Sequence, residues 1–203
     1  ESVPQDHEKA IEWYARAAEN GDIHSQTAVG TIYFTGEGNI PKDHNEALVW
    51  FKKAAENNDA HAQWRMGRMH ERGYATDYDY STATDWYERA AAQDFVPAIN
   101  ALGSLYERGI HPEASGRNQS LRKARELYLR AAEKDDLKAL HRLGEIYHLG
   151  IGTKPRSDLA LKYFERAASV DPKQARLTGD GYLQGVAVIR AERIKREQSN
   201  LLT

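Results

Sequence analysis

The sequence predicts an all-α chain made by stacking one helical unit, and two recurring phrases and their period carry that reading. The first phrase is Ala, two variable residues, two bulky residues and then an Ala pair. It recurs at residues 10–18, 47–55, 83–91, 124–132 and 160–168, at spacings of 37, 36, 41 and 36. The second is Gly-x-x-Tyr-x-x-Gly. It occurs at Gly30/Tyr33/Gly36, Gly103/Tyr106/Gly109, Gly144/Tyr147/Gly150 and Gly179/Tyr182/Gly185, with His70 replacing Tyr between Gly67 and Gly73. A fixed period in this range marks an architecture in which each unit packs mainly on its neighbours. The phrases alternate, so each unit has two halves.

Both halves have helical spacing. In the opening copy Ala10, Trp13, Tyr14, Ala17 and Ala18 stand at i, i+3, i+4, i+7 and i+8 and make one stripe. This predicts a helix over residues 6–19, broken by Asn20-Gly21. The next helix holds Gly30 inside it and stops at Gly36, where a left-handed cap suits Gly best. An interior Gly costs about 1 kcal/mol relative to Ala. Its return at Gly67, Gly103, Gly144 and Gly179 therefore predicts a compensating close helix crossing in every unit. Down the chain, Gly73, Gly109, Gly150 and Gly185 stop the second-phrase helices, and Asn58-Asp59, Asp94 and Asp135-Asp136 break the others. About eleven helices follow from this alternation. Trp13, Trp50 and Trp86 share one register position and are expected in the core. His7 and His44 share a helix-start position and are expected at the surface. His70, standing for Tyr, is expected in the core.

The series Leu-Gly-x-x-Tyr-x-x-Gly-x-Gly, Pro-x-Asp, Ala-x-x-Trp-Tyr-x-x-Ala-Ala, clearest over residues 27–55, resembles the Sel1-like repeat family, a relative of the tetratricopeptide repeats. The resemblance covers residues 4–185. It implies a right-handed α-solenoid of stacked antiparallel helix pairs, with a concave face lined by the first helix of each pair. It also implies adaptor or scaffold work rather than catalysis. Two departures stand out. The second Gly of Gly-x-Gly is missing after Gly73 and Gly109, and five extra residues lengthen the loop between Gly109 and Ala124.

The expected domain organisation is a repeat array over residues 1–185 and a C-terminal capping helix and tail over 186–203. Residues 3–10 match 40–47 almost position for position, so the array is expected to open at the second helix of a truncated repeat. The side of that helix near Ile11 and Tyr14 is then expected to be sticky, with self-association through this end. Val186 and Ile189 are expected to cover the last repeat, with a basic partner-binding helix as the alternative.

Composition agrees and excludes several classes. Hydrophobic content of 40% with 29% charged residues suits thin two-helix layers with a large wetted surface. A net charge of −2 gives no global attraction to nucleic acid or an anionic membrane, and no apolar run is long enough to insert in one. The absence of cysteine excludes disulfides and cysteine-zinc sites, and fits cytoplasm and periplasm equally. The Gly-x-Gly pairs end helices without a preceding strand, so they are not phosphate loops. No nucleophile elbow or zinc-protease helix motif is present. No enzyme activity and no cofactor are therefore expected. Asn118-Gln119-Ser120 is a formal glycosylation sequon. The Tyr-rich stretch 73–80 is expected to supply one packing aromatic among exposed neighbours.

Positions that face one way yet differ between repeats are where specificity can sit. By analogy with tetratricopeptide-like solenoids, the inner face falls three before, one after and four after each mid-helix Gly. These are Thr27/Thr31/Phe34, Trp64/Arg68/Glu71, Asn100/Ser104/Glu107, His141/Glu145/His148 and Arg176/Asp180/Leu183. Trp64 stands where other repeats carry Thr, Asn, His and Arg, so repeat packing does not demand it. It is a candidate anchor, with Arg68 one turn on for an acidic ligand group. The competing reading is that Trp64 fills a local gap. The leading functional expectation is a module that binds a peptide or protein partner through the concave groove. The alternative is a regulatory or targeting repeat region of a larger enzyme or secreted effector. A minor third is metal-dependent activity at His141/Glu145/His148, weighed against a solvated polar groove.

Overall fold

A computed structural model describes residues 3–113 and 116–171, with side chains from Lys9 onward. Among the described residues it contains nine α-helices and no strand: α1 Val3–Glu19, α2 Ile23–Thr35, α3 His44–Glu56, α4 Ala60–Arg72, α5 Tyr80–Ala92, α6 Val96–Arg108, α7 Arg117–Glu133, α8 Leu137–Leu149 and α9 Ser157–Val170. The remaining helices of the expected eleven, the trio Arg176/Asp180/Leu183 and the cap at 186–203 lie outside the described residues. The chain divides into two compact units between Ala98 and Ile99, within α6. In the first unit α1 to α5 pack in sequence, each on the next. In the second, α7 packs on α8 and α8 on α9.

Local chemistry sets the helix ends. Asp22, Asp43, Asp59, Asp79 and Asp136 cap five helices, each carboxylate accepting from backbone N–H groups of the first turn. Asp59, for example, accepts from the Ala62 N–H at 2.7 Å. The chain reverses before α4, α6 and α8 through a residue of positive φ, Asn58 (66°), Asp94 (60°) and Asp135 (57°). Asn and Asp tolerate this left-handed turn better than other side chains.

The core of each unit is a glycine pressed against a ring. A Cβ added to Gly30 would lie 2.7 Å from the Phe51 ring, and one on Gly67 would lie 2.6 Å from the Tyr87 ring. In the second unit the same atom on Gly103 meets Tyr128 at 2.8 Å, and on Gly144 meets Phe164 at 2.5 Å. The expected close crossing is thus present, and the crossing needs Gly. The ring is the second bulky residue of the first phrase. Ala47, Phe51, Ala54 and Ala55 are at most 2% exposed and form the i, i+4, i+7, i+8 stripe.

The expectation that the tryptophans are core is therefore corrected for Trp13 and Trp50, while Trp86 packs against the first unit's core from a half-buried position. Adjacent helical residues diverge by about 100°, so the doublet cannot send both rings fully inward. Trp13 is 67% exposed, and Trp50 and Trp86 are half-buried. Each carries a cation three residues on over its ring: Arg16 at 5.4 Å, Lys53 at 4.1 Å and Arg89 at 4.6 Å.

His44 is also corrected from surface to packed. The Asp43 N–H donates to the Tyr33 carbonyl at 2.8 Å, which pulls the start of α3 under Phe34. His44 then stacks on Phe34 at 4.9 Å and meets Tyr74 at 4.8 Å, with its Nε2 buried and unpartnered. Burial first, and Lys42 second, hold its pKa below the usual imidazole value. Tyr74 is a packing aromatic of the Tyr-rich loop, and Tyr78 is 73% exposed. His70 is half-buried, with its pKa also held down by burial.

Candidate protein-binding groove

In the first unit, α1, α2 and the start of α4 enclose an open concavity of about 830 Å³. Its wall runs from Ile11 and Tyr14 of α1, through His24, Thr27 and Thr31 of α2, to Asp59 and His61 at α4, with Phe95 at the rim. The lining mixes rings, hydroxyls and imidazoles with one carboxylate at each of Glu37 and Asp59. Of the side chain surfaces expected to be sticky, Ile11 is covered at 7% exposure, whereas Tyr14 is 47% exposed beside the concavity.

The candidate inner-face residues within the described chain play different parts. Thr27 and Thr31 line the concavity. Thr27 is buried and its hydroxyl donates to Asp59 Oδ1 at 3.1 Å, while the Thr31 hydroxyl donates to the Thr27 carbonyl at 2.9 Å. Phe34 is packed among Phe51, His44 and Tyr74. Glu71 and Glu107 brace the core rings: each accepts a tyrosine hydroxyl, from Tyr87 at 2.7 Å and from Tyr128 at 3.1 Å. Burial first, then the adjoining glutamate, raises both tyrosine pKa values above the ordinary phenol range. Ser104 and His148 are half-buried on their helices.

Trp64 has a packing partner that explains it. In two repeats the residue three before Gly bonds to the aspartate that opens the next first helix. Thr27 reaches Asp59, and the Asn100 Nδ2 donates to Asp136 Oδ1 at 2.8 Å. In the repeat between them the pair is Trp64 and Phe95, ring centroids 6.0 Å apart. An aromatic contact thus replaces a polar one at both positions together. His61 stacks on Trp64 at 5.7 Å, and Trp64 remains half-buried.

Two arginines at one register position differ sharply. Arg142, two before Gly144, is clamped. Its Nε donates to Glu107 Oε2 at 3.0 Å, and its terminal nitrogens reach Glu107 and Glu145. Those hydrogen bonds, Glu107 first, raise its pKa. Arg65, two before Gly67, stacks over Trp64 at 5.0 Å, Phe34 at 5.5 Å and Phe51 at 5.9 Å. Its Nε donates to His61 Nε2 at 3.3 Å. Arg68 also lies over Trp64, at 5.2 Å. Arg65 lay outside the expected inner stripe, as did His24, His61 and Phe95. The signal that would have found them is Phe95 itself, an aromatic where sister repeats place a capping Asp.

Of the residues of the metal reading, His141/Glu145/His148, the first two are engaged in other contacts. Among the described residues no group of three or more His, Asp or Glu converges to hold an ion. Glu145 is held by Arg142, and His141 Nδ1 stands 3.9 Å from it while its ring meets Phe164 edge-on at 5.6 Å. A cation already occupies the carboxylate that a metal would need. No helix among the described residues is long and apolar enough to cross a membrane.

The geometry defines a helical-repeat scaffold, with glycine–ring joints inside and variable polar positions along the first helices. The particular family follows from comparison: five consecutive segments, 1–22, 23–59, 60–95, 96–136 and 137–171, match the Sel1 repeat, and the chain belongs to the Sel1 repeat family. The match at 1–22 holds α1 alone, and the other four each hold a helix pair. No curated protein matches the sequence. Among solved structures, a Sel1 repeat protein from Oxalobacter formigenes superposes with a TM-score of 0.72 at 34% identity, over 81% of this chain and 63% of that one. The protective antigen c5321 of uropathogenic Escherichia coli, described as displaying an SLR fold, gives 0.70 at 30% identity, over 79% and 33%. The immunity protein Pa5087 from Pseudomonas aeruginosa shares the fold at a TM-score of 0.54 and 24% identity, over 79% and 57%. The chain therefore spans between a third and just under two thirds of these relatives. Sel1 repeats are generally protein–protein interaction modules without enzymatic activity.

Proposed function

We propose that the chain binds a segment of a partner protein along the inner face of its first unit, in the concavity bounded by Tyr14, Thr31, His61 and Phe95. The observation that supports this most is the concavity itself, about 830 Å³ with apolar and polar groups interleaved on its wall. That mixture suits a peptide, because rings supply desolvation and placed polar groups fix register. Thr31→Trp, which fills the groove from a half-buried site on α2, tests the reading against Trp50→Ala on the flank. A partner captured from native extract should be lost with Thr31→Trp and kept with Trp50→Ala, both variants retaining their helical spectrum. Retention by the filled groove would mean that another face binds.

A further inference from the structure

Arg65 and Arg142 occupy the same place in their repeats, two residues before the mid-helix Gly, and the second unit shows what completes that place. Around Arg142 stand Glu107, four after Gly103 on the preceding first helix, and Glu145, one after Gly144. The counterparts around Arg65 are Phe34, four after Gly30, and Arg68, one after Gly67. Both carboxylates of the second unit are thus absent from the first, and one is replaced by a like charge. Among the described residues no ion pair joins Arg65 or Arg68 to a carboxylate, and the polar partner of Arg65 is the imidazole of His61.

This arrangement leaves donors unused at a defined place. A guanidinium stacked on ring faces keeps its in-plane N–H groups free at the edge, aimed outward from the stack. Arg65 lies over Phe34, Phe51 and Trp64, and Arg68 over Trp64. Two neighbours of this pair, His61 and Phe95, are also groove wall. Like charges held side by side repel unless an anion sits between them. Burial first, and Arg68 second, depress the Arg65 pKa, which is how a cation short of counter-charge behaves.

We infer that Arg65 and Arg68 receive a carboxylate from an acidic segment of the partner protein, in the place that Glu107 and Glu145 fill in the second unit. The inference rests on the groove reading above and adds the chemistry of the bound segment. A carboxylate is favoured over a phosphate because the molecule's own completed site uses two carboxylates. A net charge of −2 supplies no field to gather a polyanion.

The test is calorimetric titration with a short capped peptide of alternating Glu and Ala, against the same peptide with Glu→Gln. The Glu peptide should bind about tenfold more tightly or better, as a charge-assisted pair provides, and rising salt should erode that preference. Arg68→Gln should remove most of it with the fold intact, and Arg65→Lys should weaken it through loss of the planar fork. Lys52→Gln on the exposed side of α3 should leave it unchanged. Equal affinity for the two peptides, binding by neither, or a preference that survives Arg68→Gln overturns the inference. Thr31→Trp separates the two readings. If it abolishes binding of both peptides while they bind the parent equally, the groove stands and the arginine pair does not. If the Glu preference persists in Thr31→Trp, the pair stands and the groove reading falls.

Discussion

Arg142 in the second unit and Arg65 in the first are the same residue type at the same repeat position, and they live in opposite environments. One is clamped by two carboxylates, and the other rests on three rings beside a second arginine. The units hold together alike, through Gly30 on Phe51 and Gly67 on Tyr87, and through Gly103 on Tyr128 and Gly144 on Phe164. What differs lies on top of that joint. Because the joint carries the packing, the polar positions above it are free to diverge without cost to the fold. Divergence confined to one face is how a repeat scaffold acquires a binding site.

The largest effects should come from the shared joint, and they check that the comparison is fair. Phe51→Ala and Phe164→Ala should each destabilise by roughly 3–5 kcal/mol, as expected for a fully packed ring. Trp50→Ala should cost about 1 kcal/mol or less, because its half-buried ring mainly supports Lys53. Chemical denaturation reads all three. If Trp50→Ala costs as much as Phe51→Ala, the ring assignment within the doublet is wrong.

Next in size is the contrast between the arginines. Arg142→Ala leaves Glu107 and Glu145 close together without a cation and should cost about 1–3 kcal/mol, the upper end discounted because the Arg142 side chain is 31% exposed. Arg65→Ala removes stacking without stranding a charge and should cost about 1 kcal/mol. Equal losses would show that the two environments are equivalent in energy whatever their geometry. Arg68→Glu sharpens the point by supplying Arg65 with the carboxylate that Glu145 gives Arg142. It should stabilise the chain by about 0.2–1 kcal/mol, the range of a partly exposed pair, and the gain should shrink at high salt.

Much of this was legible in the sequence. The repeat, the helix order, the breaks at Asn58-Asp59 and Asp135-Asp136 and the close crossing at each Gly all follow from local rules. The inner-face stripe was legible only in part. Spacing places Thr27, Trp64 and Asn100 on one line, and it cannot tell that each meets the residue opening the next first helix. That contact spans 31–36 residues of chain, as in the 36 between Asn100 and Asp136. Helical period alone puts both neighbouring bulky residues on one stripe, and it cannot tell that Phe51 takes the core position while Trp50 stays half-buried. Arg65 escaped because it sits beside the expected stripe rather than on it.

Acid should act on the first unit through imidazoles that resist protonation. His44, His61 and His70 have folded pKa values lowered chiefly by burial from the usual imidazole value of 6.5. Below that value the unfolded chain takes up protons that the folded chain refuses. Stability is therefore fully present above about pH 6.5 and declines as pH falls toward the folded values. The depressed carboxylates Asp22, Asp79 and Asp158 act in a separate window below their usual 3.8. Denaturation midpoints between pH 7 and pH 5 should fall, and His44→Phe should flatten the slope while keeping the ring stack on Phe34 and Tyr74. A slope unchanged by that substitution would remove His44 from the account.

The smallest effect separates two repeats at a turn. The second Gly of the Gly-x-Gly turn is Gly38 in the first unit, at φ 63°, and Gly152 in the second, at φ 62°, and the counterpart after Gly73 is Ala75, at φ 56°. A side chain there costs about 1–2 kcal/mol through contact of Cβ with the backbone. Gly removes that cost but gives back about 0.5–1 kcal/mol in unfolded-chain entropy. Ala75→Gly should therefore stabilise by about 0.5 kcal/mol. The reverse change, Gly152→Ala, should lose more than this gain, because its new Cβ would lie 2.5 Å from Leu121 Cβ in addition to the backbone strain. The exposed Ala75 has no such neighbour to displace. Paired denaturation curves read both. If Ala75→Gly destabilises, the turn after Gly73 is held by something other than its dihedral angle, and it is not equivalent to the turn at Gly152.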